Sequence, residues 1–261
     1  MRMSVDVELD YALSEEGPVL LMLEAAGADG QDLQRVSIDF GTVERVARVP
    51  GEEGIGERII LRAKDRVQCR YSAEIQVTRG CPDLNTLAGC EVDQMPGDAL
   101  RYLLPSRYCQ AERFAAFASR RFGDLAGGRK VAAIRDWVED RLDYVAGASN
   151  ADTTAADTFL QRQGVCRDYA HLMIALCRAA QIPARIASAY APSVQPPDFH
   201  AVVEVFLQGA WHLVDPTGMA RADEMALIAV GRDATDVAFM TTMSFADMRR
   251  QVVRVTRVDQ D

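Results

Sequence analysis

Lysine is almost missing from this chain. Lys64 and Lys130 are the only two, and arginine carries the rest of the positive charge. Acidic residues outnumber basic ones, leaving a formal net charge of −9. No basic patch or stripe stands out, which argues against a nucleic-acid or anionic-membrane surface. No apolar run approaches the length needed to cross a bilayer, and residues 1–8 lack the apolar core of a signal peptide. The expectation is a cytoplasmic protein whose thiols stay reduced. Cys69, Cys81, Cys90 and Cys109 form no CxxC pair, so a structural metal site has little support. A phosphate-cradling glycine loop, a calcium-loop pattern of acidic residues, an internal repeat and a low-complexity tract are all missing too. No metal or cofactor is implied.

What is present is enough for a full core: 261 residues, 49% of them hydrophobic. That length suits one large domain or two ordinary ones. Up to about residue 95 the pattern is that of strands. Residues 5–11 alternate apolar and acidic side chains, as a strand with one wet face does. Residues 19–25, 36–40, 43–49, 59–61 and 67–77 continue the series, with Gly, Pro and acidic clusters between them. Short strands with frequent turns predict a small β-sandwich. Residues 82–96 carry no periodicity and mark a boundary, so the expected division is 1–95 and 96–261. Beyond it, helices are predicted over 111–122 and 129–142, separated by Gly127-Gly128, and a short one within 152–160. After Pro183 the pattern turns to strand at 184–190 and 200–207, with a hairpin turn at Gln208-Gly209 leading to Trp211–Asp215. Residues 227–230, 237–240 and 252–258 are further strand candidates. The second unit is therefore expected to be α+β.

One stretch organises the rest: Gln163-Gly164-Val165-Cys166-Arg167-Asp168-Tyr169-Ala170-His171. From Arg167 the apolar residues Ala170, Met173, Ile174 and Cys177 recur at helical spacing, with Leu172, Ala175 and Leu176 filling most other positions. Arg167, His171 and Arg178 leave a narrow polar stripe. The helix should end near Gln181, ahead of Pro183. Cys166 falls at its first turn, where free N–H groups and the helix dipole favour negative charge. A thiol so placed is pushed toward thiolate, the nucleophilic form. Cys177 is the internal comparison, deep in the apolar pattern and read as core.

His200 begins one hairpin strand and Asp215 ends its partner, so both should meet near the open end of the hairpin. A nucleophilic thiol needs an imidazole to hold its proton, and the imidazole needs a carboxylate to fix its tautomer. His171 and His212 are each better read as structural histidines. Cys166, His200 and Asp215, in that order and on those elements, are the candidate site.

Gly164-Val165-Cys166-Arg167-Asp168-Tyr169-Ala170, Ile182-Pro183-Ala184-Arg185, Asp198-Phe199-His200-Ala201 and Trp211-His212-Leu213-Val214-Asp215-Pro216-Thr217 together resemble the bacterial transglutaminase-like superfamily. The resemblance implies a papain-like core with Cys166 as nucleophile, His200 as general base and acid, and Asp215 as the orienting residue. The β-rich segment and the Tyr108-Cys109 lead-in resemble a bacterial subgroup with a β-domain ahead of that core. Two positions depart from the family pattern: Val202 where an aromatic is common, and Gln181 where glycine is usual. For the oxyanion, the backbone N–H of Cys166 is a natural donor, with Gln163 or residues 152–154 as side-chain candidates. The implied chemistry is acyl transfer through a thioester on a protein or peptide substrate. Water resolving it gives a cysteine peptidase or amidase, and an amine gives a transglutaminase. A catalytically silent binding module is the alternative of another class. Oligomeric state is left open.

Overall fold

The computed structural model describes residues 1–43 and 45–258. Six strands come first: β1 Arg2–Leu13, β2 Gly17–Leu21, β3 Gln31–Asp39, β4 Arg45–Pro50, β5 Glu57–Ala63 and β6 Arg66–Val77. The strand expected at 43–49 thus starts at Arg45, and its Glu44 lies outside the described residues. Alternation does what its period demands. In β1 Met3, Val5, Val7, Leu9 and Tyr11 are buried, and in β6 Val67, Cys69, Tyr71, Ala73, Ile75 and Val77 are.

The helical part follows with α1 Gly97–Leu100, α2 Ala115–Phe122 and α3 Gly127–Arg141. The glycine pair begins α3 rather than separating two helices. A side chain at Gly128 would run into the Leu84 carbonyl, which lies 1.7 Å from where its Cβ would be. The short strands β7 Asp143–Tyr144 and β8 Gln163–Gly164 pair in parallel, on either side of α4 Ala155–Gln161. Then come α5 Cys166–Ala179, β9 Ala184–Tyr190, β10 His200–Leu207, β11 Ala210–Val214 and β12 Ala226–Gly231. The last elements are α6 Ala234–Val237, β13 Met240–Thr242 and β14 Ala246–Arg257.

The strands form a sheet ordered β11-β10-β9-β12, with α5 packed on β9 and β10, and two further four-stranded sheets. These are β14-β1-β6-β3 and β13-β2-β5-β4, whose apolar faces share one core as a sandwich. The α+β core preceded by a β-sandwich is therefore what the chain builds.

The division at residue 95 fails at the far end of the chain. β13 pairs with β2, and β14 pairs with β1 along its length, setting Val253 opposite Val7 and Val255 opposite Val5. The segment 240–257, expected in the second unit, completes the sandwich instead. Without it β1 would be a long apolar edge, which proteins avoid leaving open. Residues 259–261 of the expected second unit lie outside the described residues.

Sandwich and α+β core are also tied together. The buried Gln31 amide bonds Ala26 O, Leu227 O and Leu227 N–H, at an irregular point of β12. The Tyr190 hydroxyl donates to Leu23 O, and buried Arg185 joins Glu204 to Glu53 of the sandwich.

Candidate active site

Cys166 is the first residue of α5, and the residues around it explain why. Val165 has no side-chain oxygen with which to cap the helix. Asp168, fully buried, reaches back instead and accepts the Val165 N–H at 2.8 Å. Ser149 and Arg167 complete its partners. Gly164 makes this possible: a Cβ there would lie 2.6 Å from that of Asp168. The Gly-Val-Cys-Arg-Asp run is thus a built helix start holding a thiol at its tip.

His200 Nε2 bonds Asp215 Oδ2 at 2.8 Å, and both side chains are buried. Asp215 has every lone-pair direction occupied. Oδ1 accepts from the Thr217 N–H at 2.9 Å and the Thr217 hydroxyl at 2.7 Å, and Oδ2 also accepts from the Ala220 N–H at 2.9 Å. Burial opposes its charge, yet His200 and Thr217 hold the carboxyl below its ordinary range. The other imidazole nitrogen, Nδ1, is buried with no hydrogen-bond partner among the described residues, and the Cys166 thiol lies beside the ring. Burial works against a charged ring, but hydrogen bonding and charge from Asp215 and Cys166 outweigh it. The imidazole is raised to about 10. The structure thus brings Cys166, His200 and Asp215 together.

The buried thiols and the other imidazoles behave as structural groups. Burial pushes Cys69, Cys109 and Cys177 up to about 12, while Cys166 is only half-buried. The polar stripe expected on α5 is not a wet one: His171 and Arg178 are both buried. His171 stacks on Tyr108 with centroids 4.9 Å apart, and its Nε2 accepts the Ala234 N–H. Arg178 donates to four oxygens: the Ala184, Leu104 and Arg232 carbonyls and the Ser106 hydroxyl. His212 lies against the Leu207 carbonyl.

Gln163 sits in β8 opposite Asp143 and is not among the residues lining the cleft over Cys166. Residues 152–154 are also spent elsewhere: Asp152 points to solvent, Thr153 accepts from Asn150 N–H, and Thr154 caps α4 in a reciprocal box with Asp157. Sequence reasoning missed Tyr144. The β7–β8 pairing sets it beside Gly164, and its hydroxyl lies next to both the thiol and the backbone N–H of Cys166. Burial and the neighbouring thiol push that hydroxyl up to about 12. A two-residue strand joining distant segments leaves no periodic signal to find it by.

Among the described residues no cluster of His, Cys, Asp and Glu could hold a metal, and no helix is long and apolar enough to cross a membrane. Residues 116–216 match the model of the transglutaminase-like superfamily. A solved structure from Cytophaga hutchinsonii, described as a "Putative Cysteine Protease", is 31% identical and superposes with a TM-score of 0.94. It covers 100% of this chain and 92% of that one. An uncharacterized protein of Mycobacterium leprae is 32% identical over 145 residues, covering 52% of each chain. One of Mycobacterium bovis is 27% identical over 128 residues, covering 43% of this chain and 41% of its own. The chain spans about half the length of these curated relatives or less. This chain belongs to the transglutaminase-like superfamily. Family and structural neighbour together support a cysteine-dependent enzyme in general terms.

Proposed function

We propose that the protein is a cysteine-dependent acyl-transfer enzyme, a transglutaminase-like peptidase or amidase working through a thioester on Cys166. One observation carries the reading. His200 stands between a half-buried thiol at a helix start and an Asp215 carboxylate fixed by three further donors. In the reaction, His200 already carries the proton, as its raised imidazole requires at neutral pH, while the Cys166 sulfur attacks the acyl carbon. The C–S bond forms, and the carbonyl oxygen takes the negative charge. The backbone N–H of Cys166 donates to it. Tyr144, beside that N–H, supplies a second donor in place of Gln163. Collapse breaks the C–N bond, and the amine leaves with the proton held by His200. Water then gives a proton to His200 and attacks the thioester, the C–S bond breaks to release the acid, and the starting sulfur–imidazole pair is restored. The cleft over Cys166 is open to solvent, which favours water over an amine as the second nucleophile. Six unpaired cysteines suit a reducing compartment such as the cytoplasm.

The test is alkylation by limiting iodoacetamide at pH 6, read by mass spectrometry. Cys166 is modified first, ahead of exposed Cys81, and buried Cys177 is spared. His200→Ala slows Cys166 labelling by at least about tenfold, whereas His212→Ala changes it little. Tyr144→Phe keeps the labelling but lowers turnover of an acyl substrate by about tenfold or more. Incubation with a peptide amide, with and without added amine, then separates acid from amine adduct. Labelling of Cys166 no faster than Cys81, or unaffected by His200→Ala, removes the enzyme reading.

A further inference from the structure

The cleft is far larger than a thiol and an imidazole require. A cavity of about 600 Å³ opens over Cys166 and His200, running between the β9–β10 surface and the segment from Ala234 to Thr241. Its shape follows from particular side chains. Ser188 and Ala201 stand opposite each other on β9 and β10, and both line the cavity. Two residues further along each strand the opposed pair is Ile186 and Val203. The sheet therefore dips where its side chains shrink.

Above this floor stands an aromatic wall. The rings of Phe199 and Phe239 stack at 4.7 Å and 7°, and Tyr190 backs Phe199 at 5.7 Å. Phe239 belongs to the segment returning to the sandwich, and its carbonyl accepts the Met22 N–H at 2.9 Å. Both rings stay half-buried and both line the cavity.

The charged groups at the rim already have partners. Arg167 serves Asp168, Ser149 and the Asn150 carbonyl, Asp198 accepts from Gln251 and the Phe199 N–H, and Arg107 faces Asp152. On the floor, the Ser188 hydroxyl belongs to a residue only 8% exposed and, like His200 Nδ1, has no hydrogen-bond partner among the described residues.

We propose that this cavity receives an aromatic side chain of a peptidyl acyl donor, beside the carbonyl that Cys166 attacks, with Phe239 as the residue that sets the preference. The inference rests on the reading of Cys166 as nucleophile. Stacking on Phe239 and Phe199 favours a flat ring, and the small floor leaves it depth. A charged side chain would lose part of its water against the rings of Phe199 and Phe239.

The experiment compares inactivation of Cys166 by two sets of chloromethyl ketones, acetyl-Xaa-Gly and acetyl-Gly-Xaa, with Xaa as Phe, Asp or Lys. Each rate is divided by the iodoacetamide rate of the same variant. In the wild type at least one Phe reagent should react about tenfold or more faster than its Asp and Lys counterparts. Phe239→Ala should erase that preference. Phe239→Leu, which keeps bulk without a ring, should reduce it and guards against a misfolded alanine variant. Equal rates for Phe, Asp and Lys, or a preference that survives in both variants, overturn the subsite while rapid iodoacetamide labelling leaves the nucleophile standing. If Cys166 shows neither, both fall together.

Discussion

At the scale of single residues, local geometry explains one departure from the family pattern. Gln181 stands where glycine is usual, and its φ is +62°. It closes α5: Ile182 N–H bonds Cys177 O at 2.9 Å and Gln181 N–H bonds Arg178 O at 3.0 Å. That pair of bonds is the left-handed helix end for which glycine is preferred, because a Cβ crowds the following carbonyl. Gln181→Gly should stabilise the protein by about 1 kcal/mol, since relief of this strain exceeds the extra chain entropy glycine loses on folding. Denaturant titration checks this, with a raised midpoint and an unchanged slope expected. A lowered midpoint would mean that the glutamine side chain contributes something its contacts do not reveal.

At the scale of elements, β14 is the piece whose importance is easiest to underrate from its place in the chain. It covers the outer edge of β1, buries Val253, and brings Gln251 to the Tyr11 hydroxyl at 2.6 Å. Ending the chain after Phe245 would strip a twelve-residue strand from β1. The truncated protein should be recovered mostly insoluble or with a sharply lower melting temperature, because an open apolar edge recruits other chains. The effect should reach the cleft as well, since the same returning segment carries Phe239. A soluble truncation with an unchanged melting temperature would show that the sandwich closes without it. α5 behaves differently. Its burial on all sides makes it the rigid post for Cys166, and its start is set by Asp168 and Gly164 rather than by the rest of the sheet.

At the scale of the whole molecule, two buried histidines pull stability in opposite directions with pH. Burial lowers His171 from 6.5 to about 4. Between those values the unfolded chain binds a proton that the folded one refuses. This contribution is complete above pH 6.5 and lost as pH falls toward 4, and it amounts to roughly 3 kcal/mol. His200 is raised to about 10, so its contribution is complete below pH 6.5 and lost as pH rises toward 10. Melting temperature against pH should therefore fall on both sides of neutrality. His171→Phe, which can keep the stack on Tyr108, should flatten the acid limb, and His200→Ala the alkaline one. Asp215, held below 3.8, loses its contribution only in stronger acid and leaves the first window clear. An acid limb unchanged by His171→Phe would assign it to other groups.

Short-range patterning was enough to find α5, β9, β10 and the hairpin turn, because helix and strand periods are written into neighbouring residues. Val202 and Val203 alternate between faces wherever the sheet lies, and Pro183 limits the preceding helix in any fold. Cys166, His200 and Asp215 could be picked as a candidate site for the same reason: each sits at or next to the end of an element whose register is local. What required the tertiary structure was everything set by contacts distant in sequence. Val253 would be as apolar beside β12 as it is beside Val7, so nothing in residues 246–257 announces that they return to β1. His171 and Arg178 read only as part of a polar stripe, because polarity records what a side chain can bond, not whether Ala234 or Leu104 is there to bond it. Tyr144 comes to Cys166 through a two-residue pairing, and Ser188 and Phe239 come to line one cleft. Their positions depend on how sheets and helices close around one core, which no window along the chain contains.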